Sequence, residues 1–278
     1  MRVAVVTDST AYLPAGPDVT VVPLTVVING VEGREGVDTT PSEVARTLGA
    51  RRVAVTTSRP APELFVSAYR RLLDAGATGV VSLHLSAELS GTVESASLAA
   101  REVGEQVAVV DARSTGMGLG FPVLAAVASA AAGNDIEEVR RAAADAITRT
   151  TTLLYVDTLE FLRRGGRIGA ASALLGTALS VKPILHVSDG AIVVRDKVRT
   201  ASRGLARLVD LAVEAAGESD VDAAVHHLGA PDRAGVLAEA LTERLGDRLH
   251  ERYVTEVGAV VAAHVGPGLL GIVIHRRA

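Results

Sequence analysis

The sequence predicts an α/β protein with two lobes, in which a parallel, doubly wound sheet is followed by a mixed sheet with helices. In the first half, short runs rich in β-branched residues alternate with stretches of helical apolar spacing, which is typical of a parallel sheet. In the second half, Ser188-Asp189-Gly190 separates two apolar runs and predicts a hairpin, so that sheet is mixed. A chain of 278 residues that is 48% hydrophobic can form a large core. We place the two lobes at residues 1–150 and 151–278.

The first lobe is predicted to contain four buried strands, at 3–6, 53–56, 79–83 and 107–110. Thr40-Pro41-Ser42-Glu43 has the pattern of a capping box with proline at the first helical position, which predicts a helix start. Further helices are predicted at 60–75, 93–103, 119–132 and 136–150. This alternation of strands and helices favours a parallel strand order.

The second lobe begins with Asp157-Thr158-Leu159-Glu160, which also has the pattern of a capping box. The short helix that follows is predicted to end at the glycine pair Gly165-Gly166. Helices are predicted at 202–216 and 233–245, and strands at 181–187, 191–195, 221–227, 250–257 and 271–275.

Composition excludes several classes of function. The net charge is −4 and no basic block is present, which argues against a nucleic-acid-binding protein. The absence of cysteine removes disulfides, thiol nucleophiles and thiolate metal sites. His226 and His227 are adjacent on a predicted strand and point to opposite faces, so they do not indicate a metal site. Aromatic residues make up only 3% of the chain, so a large apolar ligand would be lined by aliphatic side chains, which suit a flexible hydrocarbon.

The chain is expected to act in the cytoplasm. The first predicted strand starts at the N-terminus and leaves no room for a signal peptide. No apolar run reaches the roughly 18 residues that a membrane span needs, so we expect no stable membrane insertion.

Hydroxylated loops follow each of the four predicted strands of the first lobe, at 7–10, 56–60, 84–92 and 111–118. The carboxyl ends of parallel strands meet at one edge of a sheet, where α/β proteins hold polar or anionic ligands. We therefore expect the loops to converge on a site centred on Ser90. The alternative for each loop taken alone is an ordinary helix cap, because Ser, Thr and Asp are common capping residues.

The second lobe adds cationic and imidazole groups to this prediction. Arg163 and Arg164 are explained by a favourable interaction with the helix dipole. Arg167 lies beyond the glycine pair and is predicted to face a ligand or a partner. His264 stands beside the rigid turn Gly266-Pro267-Gly268 and is predicted to take part in binding.

These motifs in series resemble the DegV family of fatty-acid-binding proteins. Individually each is weak, but they run in order from residue 5 to residue 271: Val5-Val6-Thr7-Asp8-Ser9-Thr10, Thr57-Ser58-Arg59-Pro60, Leu89-Ser90-Gly91-Thr92, 114–120, Asp157-Thr158-Leu159-Glu160, Arg164-Gly165-Gly166-Arg167-Ile168, Lys182-Pro183-Ile184-Leu185, Asp189-Gly190 and 264–268.

The resemblance implies that a long-chain fatty acid, such as palmitate or oleate, lies in a buried tunnel with its carboxylate at a mouth between the lobes. It also implies a carrier without catalytic activity or cofactor, which presents that carboxylate to a separate kinase subunit for acyl-phosphate formation. Thr57 and Ser90 match the positions whose hydroxyls bond the carboxylate, and Arg167 and His264 match residues at the mouth. The full expected binding set is Thr57, Ser58, Ser90, Gly91, Thr92, Arg167 and His264, with Arg164 and Arg167 facing the partner.

The chain departs from the family pattern at a few positions. Arg59 and Ala61 stand where the family commonly has glutamine and serine, and Gly33 and Glu35 replace a more usual tyrosine and aspartate. These changes leave the two hydroxyls in place.

The residues expected at this site are chemically suited to bind a carboxylate. A carboxylate that leaves water needs hydrogen bonds or a cation, which two hydroxyls with Arg167 or a protonated His264 would supply.

Two alternatives remain open at this stage. A serine hydrolase would use Ser90, His264 and an acid such as Asp157, although Ser90 is not in a Gly-x-Ser-x-Gly elbow. A polyol-kinase-type lobe would need a nucleotide loop or metal carboxylates, and the sequence has no Gly-x-x-x-x-Gly-Lys-Ser/Thr phosphate loop.

Overall fold

Three β-sheets organise the parts of the chain that the computed structural model describes, which are residues 2–49, 54–169 and 181–278. A four-stranded parallel sheet comes from the first half, and a six-stranded mixed sheet comes from the second half. A small antiparallel sheet is also formed by the first half, from three strands within residues 25–58. The predicted class, a parallel sheet followed by a mixed one, is confirmed, whereas the division at residue 150 stays a prediction.

The parallel sheet has its strands in the order β2-β1-β6-β7. They are β1 (Val3–Asp8), β2 (Thr20–Val22), β6 (Gly79–His84) and β7 (Val107–Asp111). Helices cover both faces: α2 (Pro62–Asp74) and α3 (Thr92–Val103) on one, and α4 (Met117–Ala131) and α5 (Ile136–Thr148) on the other. All six residues of β6 are buried as a result, as expected for a central strand of a doubly wound sheet.

The strand predicted at 53–56 belongs to the small sheet and not to the parallel one. Residue 53 of this prediction lies outside the described residues. The strand is β5 (Val55–Ser58), and it pairs antiparallel with β3 (Thr25–Ile28), which also pairs with β4 (Val31–Arg34). It is therefore not part of the parallel sheet. Its residues alternate between half-buried and exposed, the pattern of a strand covered on one face only. The β3–β4 hairpin turns at Asn29-Gly30, both with positive φ, and was missed although Asn-Gly after the apolar run Val26-Val27-Ile28 is a typical hairpin signal.

The mixed sheet has the order β10-β9-β8-β13-β11-β12. The predicted hairpin is confirmed: β9 (Lys182–Ser188) and β10 (Ala191–Val198) are joined by Asp189 and Gly190, both with positive φ. The other strands are β8 (Thr150–Tyr155), β11 (Val221–His227), β12 (Leu249–Glu256) and β13 (Leu270–Arg276). Strand β8 was missed because it opens with three threonines, and the predicted helix before it ends two residues early, at Thr148.

Helices cover the mixed sheet and flank the site. α7 (Ala201–Ala216) and α8 (Pro231–Leu245) pack on the mixed sheet, and α1 (Pro41–Gly49) packs against α9 (Ala259–Val265). The short α6 (Glu160–Arg164) also packs against α9. Helix α9 was not predicted, because six of its seven residues are apolar and show no helical periodicity.

The capping box predicted at Asp157–Glu160 is wrong. Helix α6 has Leu159 at its N-cap without a side-chain cap, and the backbone N–H of Glu160 donates to the Thr158 hydroxyl at 3.1 Å. The Asp157 carboxylate instead accepts a hydrogen bond from the Tyr155 hydroxyl at 2.8 Å.

Two glycines fit α6 and α9 together. A Cβ at Gly165 would clash with the ring of His264, and a Cβ at Gly266 would clash with the ring of Phe161. Each segment thus supplies a glycine that makes room for a ring of the other. This packing fixes the position of the His264 ring.

Candidate functional site

A cavity of about 390 Å³ opens where β5, the loop after β6, α9 and the segment after α6 meet. This volume is within the range of small-molecule sites, ~300–1,000 Å³. Its wall is aliphatic and comes from the mixed sheet, from α6 and α9 and from connecting segments, with these apolar residues: Leu24, Leu85, Leu89, Leu153, Leu154, Leu162, Val187, Ile192, Val257, Val260, Val261, Val265, Leu269 and Val273.

Polar residues form the outer part of the cavity wall, which we call the rim and define as Thr57, Ser58, Arg59, Ser90, Gly91, Arg167 and His264. These side chains are exposed or half-buried. Six of the seven residues expected to bind a ligand belong to the rim. The seventh, Thr92, is buried behind it, where its hydroxyl lies 2.9 Å from that of Ser90.

Thr57 and His264 form the hydrogen bond that closes one side of the rim. The Thr57 hydroxyl lies 2.8 Å from Nε2 of His264. Burial, with a smaller effect of the Arg167 charge, lowers the pKa of His264 to about 4, so its ring is neutral at pH 7. Of the two cations considered from the sequence, Arg167 or a protonated His264, burial disfavours the second, because the ring loses too much hydration to hold a charge. The cation of the rim next to His264 is Arg167.

Ser90 is not a helix cap. Helix α3 starts at Thr92 with Gly91 at the N-cap, and no side chain caps its backbone N–H groups. A Cβ at Gly91 would clash with Arg59, whose guanidinium donates to the Gly91 carbonyl and pairs with Glu94. The Ser90 hydroxyl is left at the rim, beside an uncapped helix N-terminus with its partial positive charge.

Ser58 does not cap a helix either. It is the last residue of β5, and the N-cap of α2 is Ala61, which has no side-chain cap. Ser58 is exposed at the rim, and its hydroxyl donates to the Arg59 carbonyl at 3.3 Å.

Arg167 is held by two backbone carbonyls. Its Nε donates to the Leu89 carbonyl at 3.1 Å and one of its terminal nitrogens donates to the Gly165 carbonyl at 2.6 Å. Within residues 2–49, 54–169 and 181–278, no carboxylate forms an ion pair with it. Arg164, by contrast, is exposed outside the cavity wall and pairs with Glu160.

The four hydroxylated loops contribute unequally. Residues from the loops after β5, β6 and β7 line the cavity. Those from the loop after β7 are Thr115 and Gly116. The loop after β1 contributes only Tyr12. Its Asp8 is fully buried and accepts hydrogen bonds from the backbone N–H groups of Thr10 and Leu85, which is a structural role.

Sequence reasoning missed three polar residues of the cavity wall: Tyr12, Thr152 and His226. No motif marks them: Tyr12 follows the short turn after β1, Thr152 is the last of the three threonines that open β8, and His226 lies within β11. Among the described residues, no group of three or more His, Asp or Glu side chains could hold a metal ion. The described helices include none that is both long and apolar enough to cross a membrane.

Fold and site together define an α/β protein with an aliphatic cavity and a polar rim. The sequence matches the DegV family, described as uncharacterised proteins, over residues 2–277. The chain belongs to the DegV family, as the sequence motifs predict.

Relatives match over nearly their whole length. A DegV domain-containing protein of Streptomyces coelicolor is 53% identical over 99% of both chains, and one of Mycobacterium tuberculosis is 41% identical over 99% of this chain and 97% of its own. Among solved structures, a DegV family protein from Thermus thermophilus, described by its fatty acid binding, matches with a TM-score of 0.94 and 36% identity, with 100% of both chains covered. DegV from Bacillus subtilis, described as a fatty acid binding protein, matches with a TM-score of 0.89 and 31% identity, again with 100% of both chains covered.

Proposed function

We propose that this protein binds a long-chain fatty acid, such as palmitate or oleate, with its hydrocarbon in the cavity and its carboxylate at the rim. The observation that carries the proposal is an aliphatic cavity that ends in uncharged hydroxyls, a neutral imidazole and arginines. The structural relatives described as fatty acid binding proteins support it.

The rim supplies what a desolvated carboxylate needs. The hydroxyls of Thr57 and Ser90 can donate to it, and Arg167 supplies a positive charge that no described carboxylate neutralises. The uncapped N-terminus of α3, next to Ser90, adds backbone N–H groups that favour an anion. Ser58, Gly91 and Thr92 complete the proposed set by shaping or supporting this pocket.

The cavity wall supplies the affinity. About a dozen methylenes buried at ~0.8 kcal/mol each give a gross stabilisation of about 10 kcal/mol. Ordering the chain and losing its translational freedom offset a large part of this. Aliphatic walls without tryptophan leave room for a flexible chain.

We further propose that the protein is the non-catalytic subunit of a kinase system and presents the carboxylate to a separate fatty acid kinase. The carboxylate would lie at a rim whose residues Ser58 and Arg59 are exposed, and the exposed Arg164 is adjacent in sequence to the rim segment that contains Arg167. Because the chain has no phosphate loop of the Gly-x-x-x-x-Gly-Lys-Ser/Thr type, ATP is assigned to the partner. Because such a kinase would use cytoplasmic ATP, we propose that the protein acts in the cytoplasm.

The serine hydrolase finds no support in the geometry. A nucleophile needs a base within hydrogen-bond reach. The Ser90 hydroxyl bonds that of Thr92, and Nε2 of His264 is engaged by Thr57. The Asp157 carboxylate contacts Tyr155, Lys182 and Arg233 rather than His264.

Native mass spectrometry of the purified protein tests the proposed binding. We expect a co-purified acid of 16 or 18 carbons, and we expect a Thr57→Val/Ser90→Ala double variant to lose it. A matched control is Thr56→Val/Ser67→Ala, which removes two hydroxyls outside the cavity wall. If the protein carries no lipid and takes up neither palmitate nor oleate, the proposal fails.

A further inference from the structure

The cavity wall contains two charged side chains among the described residues, and both are arginines, Arg59 and Arg167. No aspartate, glutamate or lysine is among these described lining residues. Arg167 is half-buried, whereas Arg59 is exposed and therefore more accessible to water. A fatty acid carries a single negative charge, which Arg167 and the rim hydroxyls can balance. The second cation, Arg59, exceeds what a monocarboxylate requires.

The two arginines bond the chain on either side of Ser90. Nε of Arg167 donates to the Leu89 carbonyl at 3.1 Å, and Nη1 of Arg59 donates to the Gly91 carbonyl at 3.3 Å. Leu89 and Gly91 are the two neighbours of Ser90 in the sequence, so both guanidinium groups lie close to Ser90. A headgroup that contacts the Ser90 hydroxyl is therefore flanked by both cations.

Arg59 has donors to spare. Its Nη1 bonds the Gly91 carbonyl and also pairs with Glu94. Its Nε and Nη2, which share one edge of the guanidinium, donate no hydrogen bond to any residue that the structure describes. Such an edge can donate two parallel hydrogen bonds to a phosphate, which is the geometry in which arginine binds this group best.

The ion pair between Arg59 and Glu94 can be exchanged at little cost. The two side chains are 47% and 65% exposed, so solvent screens their attraction and the pair contributes little to stability. A ligand group with two negative charges can therefore draw the Arg59 guanidinium away from Glu94, whose carboxylate returns to water. A carboxylate that Arg167 already balances has much less to gain from this exchange.

We propose that Arg59 is a second, exchangeable cation of the rim, which gives the site a preference for an acyl chain whose headgroup is a dianionic phosphate. This inference rests on the proposed fatty acid binding and extends it to the acyl phosphate that the proposed kinase would form. The hydrocarbon lies in the cavity, and the oxygen nearest to it stays with Ser90 and Arg167. The phosphate extends further toward solvent, where it meets the exposed Arg59.

Calorimetric titration of the delipidated protein with palmitate and with hexadecyl phosphate, an alkyl phosphate that is stable to hydrolysis, tests this. At pH 8 the phosphate carries both charges, since its second pKa is about 6. We expect hexadecyl phosphate to bind about fivefold more tightly than palmitate. If palmitate binds and hexadecyl phosphate binds no more tightly, the inference fails alone. If palmitate does not bind, the proposed function falls and the inference falls with it.

Variants of the ion pair locate the effect, which is measured as the ratio of the palmitate Kd to the hexadecyl phosphate Kd. Arg59→Gln removes the cation and should lower this ratio to about one. Glu94→Gln removes the competing carboxylate and should raise the ratio. If the pair only linked the two loops, both variants would break the same link and change the ratio in the same direction. A ratio that is unchanged in Arg59→Gln, or that falls in Glu94→Gln, contradicts the proposal.

The chain offers a matched ion pair as a control. Arg70 of α2 and Glu102 of α3 pair at 2.9 Å, and each side chain is 58% exposed. Both residues lie outside the cavity wall. Arg70→Gln and Glu102→Gln should therefore leave the ratio as it is in the native protein. If Arg70→Gln lowers the ratio as much as Arg59→Gln does, the preference depends on the overall charge of the protein and the assignment to Arg59 is wrong.

Discussion

The hydroxyl of Thr57 lies 2.8 Å from Nε2 of His264, although 207 positions separate the two residues in the chain. Thr57 comes from β5 of the small antiparallel sheet, and His264 comes from α9, which packs on that sheet. The contact joins the first third of the chain to its C-terminal part. It holds both side chains at the rim of the cavity before any ligand arrives, so little ordering is left for binding to accomplish.

Replacing Thr57 by valine removes this hydrogen bond and one donor to the ligand carboxylate. We expect the affinity for palmitate to fall about tenfold, since one hydrogen bond to a charged group contributes about 1.5 kcal/mol. Calorimetric titration measures the effect. Thr56→Val is the control, because Thr56 is exposed on the opposite face of the same strand. Equal affinities for the two variants would contradict the role of Thr57.

Arg167 is expected to provide the charge that the carboxylate meets. Arg167→Gln keeps a donor but removes the cation, and we expect palmitate to bind about thirtyfold more weakly, a loss of about 2 kcal/mol. Arg164→Gln removes an exposed cation that pairs with Glu160 outside the cavity wall, and binding of palmitate should be unchanged. If Arg164→Gln weakens palmitate binding as much as Arg167→Gln does, the assignment of Arg167 to the carboxylate and of Arg164 to the surface outside the cavity is wrong.

Gly271 offers control of chain length. A Cβ at this position would lie 3.4 Å from the Leu153 carbonyl, an ordinary contact, and a larger side chain would extend into the cavity. Gly271→Leu should therefore exclude acids of 16 and 18 carbons while shorter acids still bind. Competition among saturated acids of different length measures this. Gly235→Leu is the control, since Gly235 is exposed on α8 with open space around it. An unchanged length preference in Gly271→Leu would show that the chain does not pass this point.

Glu35 makes stability depend on pH. Burial raises its pKa from 4.5 to about 7, while hydrogen bonds donated by the Ser9 hydroxyl and by the backbone N–H of Val260 act in the opposite direction. Asp8 raises the pKa further. Because the folded pKa lies above the unfolded one, the protonated carboxyl is favoured in the fold. The protonated Glu35 carboxyl makes its full contribution to the free energy of unfolding below pH 4.5. This contribution is lost as the pH rises to about 7.

Glu35→Gln should remove this dependence. The pKa change from 4.5 to about 7 corresponds to on the order of 3 kcal/mol of unfolding free energy. We expect the variant to gain stability relative to the native chain as the pH rises from 5 to 8, which denaturant unfolding at several pH values measures. Glu32→Gln, on the exposed face of the same hairpin, is the control. A difference between Glu35→Gln and the native chain that does not change with pH would contradict the assignment.

The sequence predicted the parts of the fold that have a strong local pattern. Central strands such as β6 are continuous apolar runs, and the hairpin at Asp189-Gly190 has typical turn residues. Strand β8 was missed because three threonines do not indicate a buried strand, and helix α9 was missed because six of its seven residues are apolar and show no helical period. β5 was placed in the wrong sheet because only long-range pairing with β3 decides its partner.

The candidate site shows the same division. Motif residues such as Ser90 and Arg167 lie at the rim, as the order of motifs along the chain implied. The charge state of His264 could not be predicted, because its low pKa results from burial against residues of other segments. Thr115 lines the cavity as part of the hydroxylated loop 111–118, whereas no motif marks His226, which only the pairing of β11 with β13 brings to the cavity.

The central claim is that the rim binds a carboxylate while the cavity binds the hydrocarbon. Comparing oleic acid with its methyl ester tests it most directly, because the two share the same chain and differ in the charged group. The dissociation constants are measured by calorimetric titration of the delipidated protein, with Arg167→Gln as a second sample. We predict that the acid binds at least tenfold more tightly than the ester and that Arg167→Gln removes most of this difference. Equal affinity of the native protein for acid and ester would contradict the claim.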